Sequence, residues 1–406
     1  MSNRAEDMMK WTVNDERFAQ VSFVGALVIV LLVVFQFITG SHMLAPTNLQ
    51  NIVMANAHIA VLAIGMILVV TVGQLDLSVG STAAFSSMCV ALVLAASGAP
   101  WWIGLILGLS IGALVGAAQG SIVARFKLPA FIVTVAGMII LRGGVQWGSA
   151  ALSVPVPSEF TVLGAGYLPS IGNIAGIDLA TVAVGAVCAA LTVSRIFTSR
   201  IRRRRHGLEE STALPWLASA AAIVGIGILT FLFASGRPGT SFPVPGVVVL
   251  VLVAVYHVVS TRTAFGRHVR AIGGNARAAA LSGVNVPKVQ ILVMANMGLL
   301  AALAGMMFAG RSTAAGPLDG QLWELDAIAA VFIGGAAVAG GRGSILGAVL
   351  GAALMAVLSN GLLLVGIGSA PAAVVKGLVL LAAVVLDAEG RRRADTGSEP
   401  KPSFTA

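Results

Sequence analysis

Twelve stretches of this chain are apolar over about the length that a helix needs to cross a bilayer, and segments of that kind cannot be left in water. They fall at roughly 20–39, 51–72, 79–97, 102–124, 130–148, 179–197, 215–234, 244–260, 288–310, 324–340, 344–366 and 370–387. A helix rises about 1.5 Å per residue, so a hydrocarbon core of about 30 Å takes about 20 residues. Charged residues make up only 10% of the chain, against about 25% in soluble proteins. The sequence therefore predicts an all-α polytopic membrane protein of about 12 transmembrane helices. The run at 20–39 is too long for a signal-peptide core and has no small-residue cleavage site, so it reads as a retained span. A polar tail at 1–19, a membrane domain at 20–387 and a second tail at 388–406 complete the division.

Orientation follows from the basic residues. With the first tail inside, 21 of the 25 Lys and Arg fall in inner segments. Both termini are then cytoplasmic, and the net charge of +9 needs no nucleic-acid partner. Arg142, Arg237, Arg311 and Lys376 fall near outer span ends, where long side chains can snorkel. Cys89 and Cys188 lie in apolar runs and read as core packing. The five histidines form no ligand pair, so neither a metal nor a cofactor is expected.

Glycine recurs every fourth residue at Gly104, Gly108, Gly112, Gly116 and Gly120, and again at Gly343, Gly347 and Gly351. In lipid, where apolar burial gives no drive to associate, such rows let helix backbones meet. The phrases Gln74-Leu75-Asp76 and Glu324-Leu325-Asp326 each precede a span that is followed by a glycine-row helix. Laid side by side, spans two to five and nine to twelve run in opposite directions, which predicts an inverted repeat with a path at its interface.

The longest polar segment between two spans is 262–287. Gly273-Gly274 suits a turn, Asn275 an N-cap, 276–282 a two-turn helix, Gly283 its end and Pro287 the start of the next helix. Ala276, Ala279 and Ala280 form a small apolar face, and Arg267, Arg270 and Arg277 a basic side. So short a helix needs a surface to lie on, either anionic lipid or a protein.

This segment resembles the cytoplasmic coupling loop of sugar permeases from bacterial ABC importers. The likeness rests on Arg262–Arg267 with Ala271-Ile272-Gly273-Gly274-Asn275 and Leu281-Ser282-Gly283-Val284-Asn285-Val286. Two further phrases agree: Leu75-Asp76-Leu77-Ser78-Val79-Gly80-Ser81, and Glu324–Ala330 with Gly340-Gly341-Arg342-Gly343-Ser344. Gln74 stands where that family usually has Glu. The resemblance implies a ten-helix importer core, with 195–243 as an insertion that xylose-type permeases share. It further implies a homodimer in the bacterial cytoplasmic (inner) membrane, separate ABC ATPase subunits, an external sugar-binding protein and a pentose as cargo. ATPase coupling would fall to Phe265, Gly266, Arg270, Gly273, Gly274, Asn275, Leu281 and Gly283.

No Gly-x-x-x-x-Gly-Lys-[Ser/Thr] phrase occurs, so the chain has no P-loop and is not expected to be an enzyme. Asp76, Ser78 and Asp326 suit helix caps, or gates at opposite membrane faces. Asn56, His58, Gln119, Thr134, Asn296 and Asn360 are polar groups inside spans, suited either to interhelical hydrogen bonds or to a sugar path. An ion-coupled secondary transporter is the alternative; it would need mid-span acids to titrate, and the predicted span centres carry none. The Pro-rich outer segment 149–178 reads as an irregular cap that can receive an external partner or simply connect two spans.

Overall fold

The computed structural model describes residues 21–205 and 213–397. The tail expected at 1–19 and Lys401 lie outside the described residues. The helices are α1 (Val21–Ile38), α2 (Pro46–Thr71), α3 (Val79–Ser97), α4 (Trp101–Phe126) and α5 (Ala130–Gly148). A short β1 (Val154–Pro155), α6 (Thr161–Ala165) and the hairpin β2 (Asn173–Ile174) with β3 (Ile177–Asp178) follow. Then come α7 (Leu179–Arg205), α8 (Ala213–Ala234), α9 (Val244–Arg262), α10 (Ala264–Gly274), α11 (Ala276–Leu281) and α12 (Val286–Ser312). The chain continues through β4 (Ala314–Ala315), α13 (Trp323–Ile333), α14 (Ile345–Leu364) and α15 (Ser369–Gly397).

Among the described residues nine helices are long and apolar enough to cross a membrane, and α8 and α15 carry shorter apolar stretches. The expected span 324–340 is corrected. Its helix has only 11 residues, about 16 Å, so it cannot cross alone. Gly334 and Gly335 end it: their N–H groups bond back to Ala330 O and Phe332 O, and Gly335 has φ +89°. The segment expected as a tail from 388 is helical as far as Gly397.

About two-thirds of α2, α3 and α14 is buried, which makes them the centre of the bundle together with α12. Leu62, Ile64, Met66, Met297, Leu300 and Ala330 belong to the main core that they share with α13. The buried stripe of α4 is chiefly its five glycines, as the spacing predicts. Gly112 and Gly116 lie against Gly298 and Met294 of α12, backbone to backbone. Gly347 and Gly351 of the second row meet Gly334 and Ala330 in the same way.

The contacts support the inverted repeat. Exchanging α2 with α12, α3 with α13, α4 with α14 and α5 with α15 maps the contacts among these eight helices onto themselves: α4 touches α12 as α14 touches α2, α3 touches α5 as α13 touches α15, and α2 meets α12 while α3 meets α13. The motif equivalence is less regular than expected. Gln74-Leu75-Asp76 precedes α3, whereas Glu324-Leu325-Asp326 lies inside the first turn of α13.

The segment 149–178 is more than a cap. Phe160 is fully buried, and Gly164 of α6 rests on the backbone of α12 at Met307 and Arg311. β1 pairs with β4, tying this segment to the far end of α12. The expected insertion falls on the end of α7, on α8 and on the chain before α9; α7 packs on α8 and α8 on α2, where the buried Gln50 reaches Thr240 Oγ1 through its Nε2 at 3.2 Å. Cys89 and Cys188 are free and only half-buried, so neither is the core residue expected.

Candidate functional site

The predicted coupling loop is a two-helix platform. Thr263 caps α10 by accepting from Gly266 N at 3.2 Å, and Val269 and Ile272 turn into the main core. A side chain at Gly266 would strike the carbonyls of Val259 and Ser260, so glycine permits the sharp elbow between α9 and α10. Gly273 and Gly274 are not a turn: they are the last residues of α10, and the break comes at Asn275 with φ −159° and ψ 103°. Gly273 is needed for a close approach instead. A Cβ there would sit 2.5 Å from Gly341 N and closer still to Thr71 O, which itself accepts from Gly341 N at 2.8 Å. Three segments therefore meet at the end of α2.

Asn275 caps α11 as expected, accepting from Ala278 N at 3.0 Å. Gly283 turns the chain with φ +86°, and Asn285 caps α12, where Pro287 lies in the first turn. Of the expected apolar face only Ala279 is buried; Ala276 and Ala280 are exposed. Leu281, at the end of α11, is 91% exposed. Phe265 and Arg270 are half-buried along α10. The platform thus has a core-facing side at Val269, Ile272 and Ala279, and an outward side at Leu281 and Arg277.

A second constellation surrounds the start of α3. Asp76 is buried but is not the helix cap; Ser78 occupies that position, and Asp76 Oδ1 accepts from Ser78 N at 2.8 Å. Ser78 Oγ lies between Asp76 Oδ1 at 2.7 Å and Gln119 Oε1 at 2.9 Å. Thr134 of α5 accepts from Leu77 N at 3.2 Å, so the strand of chain before α3 is strapped to both α4 and α5.

The N-terminus of α13 closes on this constellation. A Cβ on Gly80 would lie 2.7 Å from Glu324 Oε2 and closer still to Gly320 O. Asp326 is not a cap either: Leu322 holds that position, and Asp326 pairs with Lys376 of α15 at 3.0 Å. Asp76 and Asp326 both lie within electrostatic reach of Glu324. The expectation of two gates at opposite faces is therefore corrected to one junction of two helix N-termini. Lys376 and Arg142 turn inward, the latter reaching Asp319 O at 3.4 Å, and do not simply snorkel.

Residues 48–384 match the family of branched-chain amino acid transport system permease components. The chain belongs to that permease family. The permease is 36% identical to the xylose transport system permease protein of Escherichia coli K12 over 381 residues, 92% of this chain and 93% of that one. It is 32% identical to the ribose import permease of the same organism, over 84% of this chain and 85% of the relative. The ribose import permease of Bacillus subtilis is 31% identical, over 90% of this chain and 91% of its own. No solved structure matches it.

The polar residues predicted inside the permease's spans are not gathered into one channel. Asn56 bonds back to Ile52 O of its own helix at 2.9 Å, Asn360 donates to Asn48 at 2.9 Å, and Asn296 accepts from the Tyr256 hydroxyl. Gln119 and Thr134 belong to the α3 junction. His58 meets Trp323 in a tilted contact at 4.3 Å and Phe308 edge-on at 5.2 Å, beside a recess lined by Met54, Gly164 and Met307 with no room for a water molecule. Sequence reasoning weighed Asp326 and passed over Glu324 and Trp323 beside it. The signal was present: acidic residues are rare inside spans, and Glu324 opens the Glu324–Ala330 phrase.

Proposed function

We propose that the chain is the transmembrane permease subunit of an ATP-driven ABC importer that carries a monosaccharide, a pentose such as xylose, across the bacterial cytoplasmic membrane. It works as a homodimer with both termini cytoplasmic. Separate ATPase subunits dock on α10 and α11 through Phe265, Arg270, Leu281 and the turn at Gly283, and a sugar-binding protein delivers cargo at the other face. The observation that carries this reading is the likeness to the xylose permease along nearly the full length of both chains.

The platform geometry supports the coupling role. A push on α11 reaches α10 through the Asn275 hinge. Gly273 hands it to the end of α2 and to the loop at Gly341, which leads from α13 to α14. That loop is joined to the α3–α13 junction through the length of α13. Transport thus needs no nucleotide site on this chain, and the coupling runs through packed contacts.

Affinity purification from the native membrane tests the proposal. A stoichiometric ATPase is expected with the wild type and is lost when 266–283 is altered. Reconstituted with that ATPase and the binding protein, the chain imports pentose only with ATP. Uptake by the chain alone, driven by an ion gradient, would establish a secondary transporter instead.

A further inference from the structure

A buried carboxylate oxygen that accepts no hydrogen bond is costly, since its lost hydration is repaid only by donors. Glu324 Oε2 is such an atom: the residue is 8% exposed, and among the described residues nothing donates to that oxygen. It faces the start of α3 at Gly80. One residue on, the Ser81 hydroxyl is fully buried and likewise has no partner. The first N–H groups of a helix have no intrahelical acceptor, so the start of α3, against which Glu324 Oε2 lies at Gly80, brings unspent donors. The preceding residue, Trp323, packs its ring against His58 and, at 4.8 Å, against Phe308.

A buried acceptor facing the N–H groups at the start of a helix matches a neutral molecule bearing several hydroxyls, each of which can both donate and accept. The carboxylate takes O–H donors, and the helix N–H groups give hydrogen bonds to hydroxyl oxygens. An anionic ligand is opposed by Glu324 together with Asp76, Asp326 being already paired with Lys376, while Arg142 within reach of Glu324 opposes a cation. The location also fits, because the junction lies on the interface of the two repeats.

We propose that Glu324 is a sugar-contacting residue of this permease, holding cargo hydroxyls between α3 and α13 during passage. The assignment rests on the importer reading above and names the contact within it. In this arrangement Gly80 and Gly320 touch backbone to backbone; parting α3 from α13 opens the junction and frees the orphaned carboxylate oxygen for cargo.

Proteoliposomes holding the complete complex with ATPase and sugar-binding protein test the assignment, with D-xylose and D-ribose as probes. Glu324→Gln should lower ATP-driven pentose uptake about tenfold or more, as expected for loss of hydrogen bonds to a charged acceptor. ATP hydrolysis stimulated by the sugar-loaded binding protein should stay within about twofold of wild type, since the platform contacts are untouched. Glu324→Asp should restore part of the uptake. In a background with Cys89 and Cys188 replaced by Ser, Ser81→Cys should react with N-ethylmaleimide faster during turnover, and excess pentose should slow that reaction. The assignment is overturned by Glu324→Gln importing pentose at more than half the wild-type rate. It is also overturned by uptake and ATP hydrolysis falling together, or by Ser81→Cys labelling that ignores both turnover and sugar. A wild-type complex that hydrolyses ATP but moves no pentose refutes the importer reading itself, and is told apart because the failure precedes any substitution.

Discussion

Gly112→Ala should destabilise the bundle by roughly 2 to 3 kcal/mol although it adds a single methyl group. Its Cβ would land 2.6 Å from the Ala302 Cβ and closer still to Gly298 O, where an ordinary contact needs at least 3.4 Å. Backbone cannot swing away as a side-chain tip can, so α4 and α12 must part by roughly 1 Å, which forfeits a quarter to a half of each dispersion contact along the seam. In a bilayer no hydrophobic drive compensates. Gly298→Ala meets the carbonyl of Gly112 in return, so one displacement clears both clashes. The double variant should therefore cost only about 1 kcal/mol more than either single one, a coupling expected of residues in contact. Gly104→Ala is the control: it meets only the side-chain tips Leu94 Cδ1 at 2.7 Å and Val90 Cγ1 at 2.9 Å, which can rotate, so it should cost under about 1 kcal/mol. Equilibrium unfolding of the purified chain in mixed micelles measures all four. Full additivity of Gly112→Ala and Gly298→Ala, or a Gly104→Ala cost equal to theirs, would refute the backbone-contact account.

Three other outcomes are expected. Gly273→Ala should abolish ATP-driven uptake with insertion intact, while Gly274→Ala, which has nothing within 4 Å, should be tolerated; equal effects would mean that the approach to Thr71 is unimportant. Lys376→Met should cost about 1 kcal/mol, the scale of a partly exposed pair, and the reversed pair Asp326→Lys with Lys376→Asp should not recover it, because a cation in the first turn of α13 opposes the helix dipole. Burial pushes Asp178 up, but hydrogen bonds from Thr181 N at 2.7 Å, Thr181 Oγ1 at 2.8 Å, Ser241 Oγ and Ser170 Oγ outweigh it and hold the carboxyl below its usual range. Its stabilisation is thus complete above the unfolded carboxyl value of about 3.9 and lost as pH falls through the lower folded one, so Asp178→Asn should flatten the acid limb of a thermal-stability profile; an unchanged limb would show the cluster is not the acid-sensitive element.

What could be read in the sequence was whatever hydropathy or backbone chemistry writes locally. The long spans, the two glycine rows, the Asn275 cap and the Gly283 turn needed no knowledge of neighbours. The failures came where a distant segment decides. Residues 334–340 are as apolar as a span, so hydropathy ran through them, although the Gly334-Gly335 pair was already a helix-ending signal. Gly273 looked like a turn residue because its true constraint, Thr71 O, lies some two hundred residues away in the chain. Asp76 was expected to cap α3 and instead fastens the chain two residues before it, a difference of register that propensity alone does not resolve.

The same distinction says where the molecule can move. The α4–α12 seam is locked by backbone contacts over several turns, and a packed interface of that kind shifts as a unit. The connection from α13 to α14 is built differently: Gly335, Gly340 and Gly341 all have positive φ, so three permissive residues flank the point where Thr71 and Gly273 are touched. Under the importer reading, a displacement of α10 is therefore absorbed in this loop and delivered to the short helix α13, the element of the repeat that lacks the length to span. Its partner α3 is held by Ser78, Gln119 and Thr134 on the opposite side of the junction. Opening by motion of α13 against a fixed α3 follows, and restraining the loop with Gly341→Ala, which strains a φ of +77°, should slow pentose uptake while leaving ATPase docking unchanged. Loss of docking in that variant would place the effect on the platform and count against the hinge.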